Sequence, residues 1–211
     1  MNKNRRRIRG RCRALSVAIT GLPASGKSTV LEEFRRAGFE TVDADELARK
    51  EFYKSGNLKK IKKIFGTIDR KEIAARIFSD GSIKKKLERI IHPGVIKGLK
   101  LLARRAKTQR KFFAAEVPLL FEKKLERIFD ISVAVFSISS DCLNRILGEK
   151  SISAPNIARL MIKSHLPSSE KARRADFVLM NKSGIKSLRL RARKIAESLI
   201  MQKTGYIRRG N

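Results

Sequence analysis

Short apolar runs alternate along this chain with longer stretches in which apolar residues recur every three or four positions. Ala14-Leu15-Ser16-Val17-Ala18-Ile19-Thr20 is the first such run and reads as a buried strand. The segment from Ser28 to Ala37 carries apolar side chains at 30, 31, 34 and 37, the spacing of one helix face. Gly38 stops that helix, and Phe39 to Asp43 reads as the second strand. From Asp45 to about Arg110 the pattern is mostly helical and basic, punctuated at Gly56, Gly66, Gly81, Pro93 and Gly98. Phe112 to Val117 is a third strand closed by Pro118, Ile131 to Phe136 a fourth, and Phe177 to Met180 a short fifth. Ile185 to Met201 forms a closing amphipathic helix. Strands separated by helices predict an α/β fold, a parallel sheet covered on both faces. Ligands of such sheets bind beyond the carboxyl ends of the strands, which gathers Thr20, Asp43 and Val117 around one crevice. The sequence holds no internal repeat and no low-complexity linker.

The turn after the first strand carries chemistry. Gly21-Leu22-Pro23-Ala24-Ser25-Gly26-Lys27-Ser28-Thr29 fits the pattern G-x-x-x-x-G-K-[ST]. Four fixed positions recur by chance in roughly one chain of this size in a hundred. A strand before the loop and a helix after it remove most of those accidents. The glycines let backbone amides turn inward around phosphate oxygens, and the helix N-terminus adds partial positive charge. Pro23, Ala24, Ser25, Gly26, Lys27, Ser28 and Thr29 are therefore the expected ATP-binding residues. Lys27 is expected to reach the β- and γ-phosphates, and the Ser28 hydroxyl to ligate Mg²⁺.

Asp43-Ala44-Asp45 closes the second strand. Phosphoryl transfer requires a group that orients the acceptor hydroxyl, accepts its proton and helps hold the metal. Asp43 is expected in that role, and Asp45 as the cap of a helix starting at Glu46. Glu116 is the only carboxylate in the third strand and faces either the crevice or the opposite side, depending on register.

Composition bounds what surrounds the loop. A chain of 211 residues that is 42% hydrophobic builds one globular domain with a substantial core. No apolar run approaches the ~18 residues a membrane span needs. The basic start followed by Ala14–Thr20 faintly resembles a signal peptide, yet cleavage there would destroy the phosphate loop. Cys12 and Cys142 form no disulfide framework or metal site, which points to a reducing cytoplasm. Fifty Lys and Arg against twenty Asp and Glu leave a formal charge of +30. Arg5, Arg6, Arg7, Arg9, Arg11 and Arg13 lie in a basic N-terminal arm, residues 1–13, expected to be disordered and to touch nucleic acid nonspecifically. The remaining charge, as in Lys59-Lys60-Ile61-Lys62-Lys63 and Lys84-Lys85-Lys86, reads as a solvated basic surface or as one suited to polyanionic small substrates. No aromatic-interleaved patch or zinc pattern points to specific nucleic-acid recognition. The sequence sets no oligomeric state.

Four ordered blocks resemble the dephospho-coenzyme A kinase family. The first is Val17–Gly21 through Ser28-Thr29-Val30, with Gly38 and Asp43-Ala44-Asp45-Glu46-Leu47-Ala48-Arg49. The second is Ile68-Asp69-Arg70-Lys71 with Ile77-Phe78, then Leu87-Glu88-Arg89-Ile90-Ile91-His92-Pro93. The third is Val117-Pro118-Leu119-Leu120-Phe121-Glu122. The last is Leu166-Pro167 with Glu170-Lys171, then Ala175-Asp176-Phe177-Val178 and Asn181-Lys182-Ser183-Gly184. The resemblance implies a three-layer P-loop kinase fold with a five-stranded parallel sheet, a helical substrate-binding insertion and a lid. It implies a kinase domain over 14–205, with core segments about 14–49, 110–144 and 175–202, a helical substrate region about 50–109 and a lid about 145–170. The implied activity is ATP-dependent phosphorylation of the ribose 3′-hydroxyl of dephospho-CoA, the last step of coenzyme A synthesis.

The resemblance also assigns Asp43 to the acceptor hydroxyl, and Arg49, His92, Pro118, Leu119 and Leu120 to substrate binding. The lid departs from the family pattern. Arg145 is present, but the next expected arginine falls at Glu149 or Lys150, and the family's Arg-x-x-x-Gln becomes Met161-Ile162-Lys163-Ser164-His165. Arg159 stands two residues early. Lysine poorly replaces arginine's planar fork, so Arg145, Lys150, Arg159 and Lys163 are expected to share the lid charge. Two rivals share the loop: another small-molecule P-loop kinase, and a basic nucleic-acid-binding protein with a vestigial nucleotide site.

Overall fold

A computed structural model describes residues 14–79, 81–148, 155–182 and 184–204. The arginine-rich arm, Lys150 and Glu149 lie outside the described residues. Five parallel strands form one sheet in the order β2-β3-β1-β4-β5. Central β1 (Leu15–Gly21) is buried along its whole length, as a continuous apolar run must be in a sheet covered on both faces. Its alternate side chains separate by face. Leu15, Val17 and Ile19 join the core beneath α1 (Lys27–Arg36) and α9 (Ile185–Thr204), whereas Ala18 joins the core on the other side. The strands β2 (Glu40–Asp43), β3 (Phe112–Glu116), β4 (Ile131–Phe136) and β5 (Phe177–Met180) lie within a residue of the expected runs.

The helical stretch resolves into α2 (Ala44–Phe52), α3 (Ser55–Phe65), α4 (Arg70–Ser79) and α5 (Gly81–Thr108). The last departs from expectation, because its 28 residues run straight through Pro93 and Gly98. Tertiary packing overrides the two breakers here. Ile91, Val95, Leu99, Ala103 and Ala106 keep one buried stripe at helical spacing across both of them. Gly94 is needed for close approach: a Cβ there would sit 2.1 Å from Glu51 Oε2 of α2. Another correction concerns the cap of α2. Asp43, not Asp45, is the N-cap, and its Oδ1 accepts from the Asp45 amide at 2.8 Å. The helix therefore starts two residues earlier than expected, with Asp45 and Glu46 in its acidic first turn.

After a 3₁₀ turn at Glu126–Ile128 and β4 come α6 (Ser139–Gly148), α7 (Pro155–Lys163) and α8 (Ser168–Arg174). Among the described residues no helix is long and apolar enough to cross a membrane.

Candidate functional site

The loop between β1 and α1 is held from behind. Leu22 is buried at its base, and the Ser25 amide closes a turn onto the Leu22 carbonyl at 3.1 Å. Asn181, just past β5, donates from Nδ2 to the Ser25 carbonyl at 2.8 Å. Ala24 adopts φ 54° and Gly26 φ 103°, both in the left-handed region that turns amides inward. A Cβ on Gly21 would meet Ser25 Oγ and the Val135 carbonyl, each at 2.6 Å. Since one of those neighbours is backbone of β4, Gly21→Ala should destabilise the fold by about 1–3 kcal/mol, read as a lower denaturant midpoint. An unchanged midpoint would contradict this packing.

Lys27 opens α1 with its side chain buried. Its Nζ donates to the Leu22 carbonyl at 2.9 Å and lies 3.6 Å from Glu116 Oε1. Ser28 is exposed and, with Gly26, Lys27 and Thr29, borders a cavity of about 310 Å³. Arg145 of α6 reaches the same cavity, donating from Nη1 to the Ala24 carbonyl and to Ser137 Oγ, each at 3.0 Å.

Three carboxylates stand opposite. The sheet register pairs Glu116 with Asp43 on one side and Ile19 on the other, which turns Glu116 to Lys27 and answers the question of its face. Burial pushes the Glu116 carboxyl above the usual range; Lys27 and the Ser28 hydroxyl oppose the shift, while Asp43 and Asp45 add to it. Its Oε2 is buried without a hydrogen-bond partner among the described residues. Asp45 is also raised, by desolvation in the crevice and then by Asp43, against the pull of Lys27.

A raised carboxyl has a definite linkage sign. Its contribution to stability is full below the unfolded-state pKa, about 4.3 for Glu, and is lost as pH rises through the higher folded value. Glu116→Gln should therefore gain thermal stability relative to the parent as pH rises from about 4 to 7. A constant difference across that range would contradict the assigned shift.

On the acceptor side, His92, Pro118, Leu119 and Asp45 border one small cavity of about 80 Å³. Burial lowers the His92 pKa, Glu88 opposes, and Lys123 and Lys84 reinforce the shift, which favours the neutral imidazole. Arg49 is exposed on α2 and lines an adjoining cavity of about 390 Å³ with Asp45, Phe52 and Arg70. Leu120 does not join this wall: it is 0% exposed and packs in the core with Phe121 and Leu125. Among the described residues, Arg145 is the expected lid cation that reaches the loop. Arg159 is exposed on α7, and no hydrogen bond or ion pair ties it to the described site.

Sequence reasoning gave no role to Lys171. This α8 residue is 0% exposed, and its Nζ lies 2.7 Å from both the Pro118 carbonyl and Glu122 Oε1. Burial pulls its pKa down and Glu122 holds it up. Glu122 Oε1 also accepts the Leu166 amide at 2.7 Å, so this pair ties α8 and the segment before it to the end of β3. A lysine among Glu170, Ala172 and Arg173 carries no sequence signal of such burial. Lys171→Met would leave Glu122 without its cation and should lower unfolding free energy by about 3 kcal/mol. A loss under about 1 kcal/mol in urea melts would remove its status as a strut.

Comparison with known proteins follows the same line. The sequence model of the dephospho-CoA kinase family matches residues 15–187. A dephospho-CoA kinase of Fusobacterium nucleatum is 33% identical, over 87% of this chain and 97% of the relative. The structure of TT1252 from Thermus thermophilus superposes with a TM-score of 0.72 at 27% identity, covering 89% of this chain and 98% of that one. Dephospho-CoA kinase from Campylobacter jejuni shares the fold with a TM-score of 0.62 at 24% identity, covering 91% and 98%.

Proposed function

Because the chain belongs to the dephospho-CoA kinase family, we propose that it transfers the γ-phosphoryl group of ATP to the ribose 3′-hydroxyl of dephospho-CoA. The products are CoA and ADP. The observation that carries this reading is the convergence of Lys27, Asp43, Asp45 and Glu116 between the phosphate loop and the cavity bordered by His92 and Pro118.

The loop from Pro23 to Thr29 surrounds the donor phosphates, with N–H donors only from Ala24 onward, and Lys27 neutralises their β/γ end. Mg²⁺ fits this donor set. It takes oxygen ligands, commonly one or two carboxylates with phosphates and waters, not an all-protein cage. No cluster of three or more His, Cys, Asp or Glu forms such a cage among the described residues. Ser28 and the unpartnered Glu116 Oε2 would hold the ion, which when bound neutralises charge on the phosphate oxygens.

Asp43 has one oxygen committed to the cap of α2. Its other oxygen takes the proton of the 3′-hydroxyl as the new P–O bond forms and the bond to ADP breaks. Neutral His92, Pro118 and Leu119 position the acceptor, and Arg49 meets its anionic groups. Arg145 stands at the donor phosphates, with Lys150 and Arg159 completing the lid charge. The enzyme works in the cytoplasm, where Cys142 stays a buried free thiol.

An ADP-release assay comparing dephospho-CoA with AMP, CMP and nucleosides tests this assignment. Dephospho-CoA should exceed every other acceptor in kcat/KM by at least about tenfold, and preference for a mononucleotide would overturn the acceptor assignment.

A further inference from the structure

A further cavity lies at the opposite pole of the sheet from the phosphate loop. It is a groove of about 680 Å³ between the carboxyl-terminal half of α5 and the connection from β3 to β4. Leu15, at the start of β1, lines it, whereas Gly21 at the other end of that strand opens the phosphate loop. Seven residues of strand separate the two by about 20 Å.

Five exposed cations surround the groove: Lys100, Arg104 and Lys107 from α5, and Lys124 and Arg127 from the connection. One carboxylate, Asp130, also lines the groove, and the nearby carboxylates have partners of their own. Glu126 pairs with Arg174, Glu88 with Lys123, and Asp130 Oδ2 accepts both the amide and the hydroxyl of Ser16. The dipole of α5 favours a cation in its last turn, which accounts for Lys107. It accounts neither for Lys100, two turns earlier, nor for Lys124 and Arg127 on a separate segment. Five like charges around one concavity repel one another unless an anion is shared between them.

We propose that this groove docks a single-stranded nucleic acid through its phosphates, without regard to base sequence. A groove of about 680 Å³ has room for a few nucleotides of one strand but not for the width of a duplex, whose major groove alone is about 12 Å across. Ile96 and Ile128 are half-buried in the floor and Phe129 is buried, so the described lining offers no exposed ring and binding rests on its cations. Those apolar groups are also recessed below the cations, the reverse of a surface that inserts into lipid. A net charge of +30 brings polyanions to the protein, and the groove gathers five exposed cations against one lining carboxylate, Asp130. Bound there, a strand leaves the kinase crevice open.

The test uses the full chain and a fluorescein-labelled 12-nucleotide oligouridylate, followed by anisotropy between 50 and 200 mM salt. Five phosphate contacts predict a slope of about −3.5 for log K against log salt. The triple variant K100E/R104E/R127E should weaken binding at 50 mM salt at least about tenfold and make the slope shallower by about 2, with phosphorylation of dephospho-CoA unchanged. K59E/K60E/K63E on α3 removes the same charge elsewhere and should change binding far less. Thermal unfolding checks both triples, and K100Q/R104Q/R127Q replaces the first should it fail to fold. Equal losses in both triples would show that total charge binds the strand, and would overturn the groove. Binding that survives the groove triple is carried elsewhere, residues 1–13 included, and overturns it too. So does groove-dependent sedimentation with phosphatidylglycerol vesicles that oligouridylate does not compete.

Discussion

Replacing Lys27 by alanine should lower phosphoryl transfer at least about 10³-fold while the protein stays folded. The side chain is buried at the start of α1, with its ammonium between the Leu22 carbonyl and Glu116. No other described cation occupies that position; Arg145 meets the loop through the Ala24 carbonyl. Removing Lys27 takes away the charge that faces the donor's β/γ end, where negative charge shifts during transfer. The fold survives because Glu116, already raised by burial, can take a proton once its cation is gone. Single-turnover kinetics beside a circular dichroism melt separates the two effects. Turnover within tenfold of the parent would remove Lys27 from the donor site.

Asp43→Asn is the second large effect. Asparagine is also a favoured N-cap, so α2 keeps its first turn and the acceptor cavity its wall. What is lost is an oxygen able to accept the hydroxyl proton, worth about 10²–10⁴-fold in kcat. ATP affinity should stay within about threefold, because the loop residues, not Asp43, surround the phosphates. A variant with weakened ATP binding and normal kcat would place Asp43 on the donor side instead.

Much of this site was legible in the sequence because it rests on local pattern. The spacing of apolar residues placed β4 and β5 at their observed bounds, and the glycine-lysine pattern located the phosphate loop before any tertiary contact was known. What was not legible depends on contacts between distant segments. Pro93 and Gly98 look like helix breakers, yet the stripe from Ile91 to Ala106 has a sheet to pack against and carries α5 through them. Glu116 needed the strand register to decide its face, since one residue of slip would have turned it away from Lys27. Leu120 sits in a motif with Pro118 and Leu119, but the chain turns after β3 and sends it into the core. Lys171 is the clearest case. Its burial depends on Pro118 and Glu122, about fifty residues earlier, and nothing beside it in sequence announces them.

Asp43 shows how a local reading can be half right. An aspartate cap was expected at this strand end, and Asp43 rather than Asp45 supplies it. Capping fixes the rotamer of Asp43 through Oδ1, which orients the carboxylate without a separate supporting residue.

The central claim concerns where the phosphoryl group goes, and ³¹P NMR of the product reads it directly. With ATP, Mg²⁺ and dephospho-CoA, one new phosphomonoester should appear, coupled to the ribose H3′ and equal in amount to the ADP formed. ADP released without a phosphorylated acceptor, or a phosphate on any other oxygen, would contradict the account.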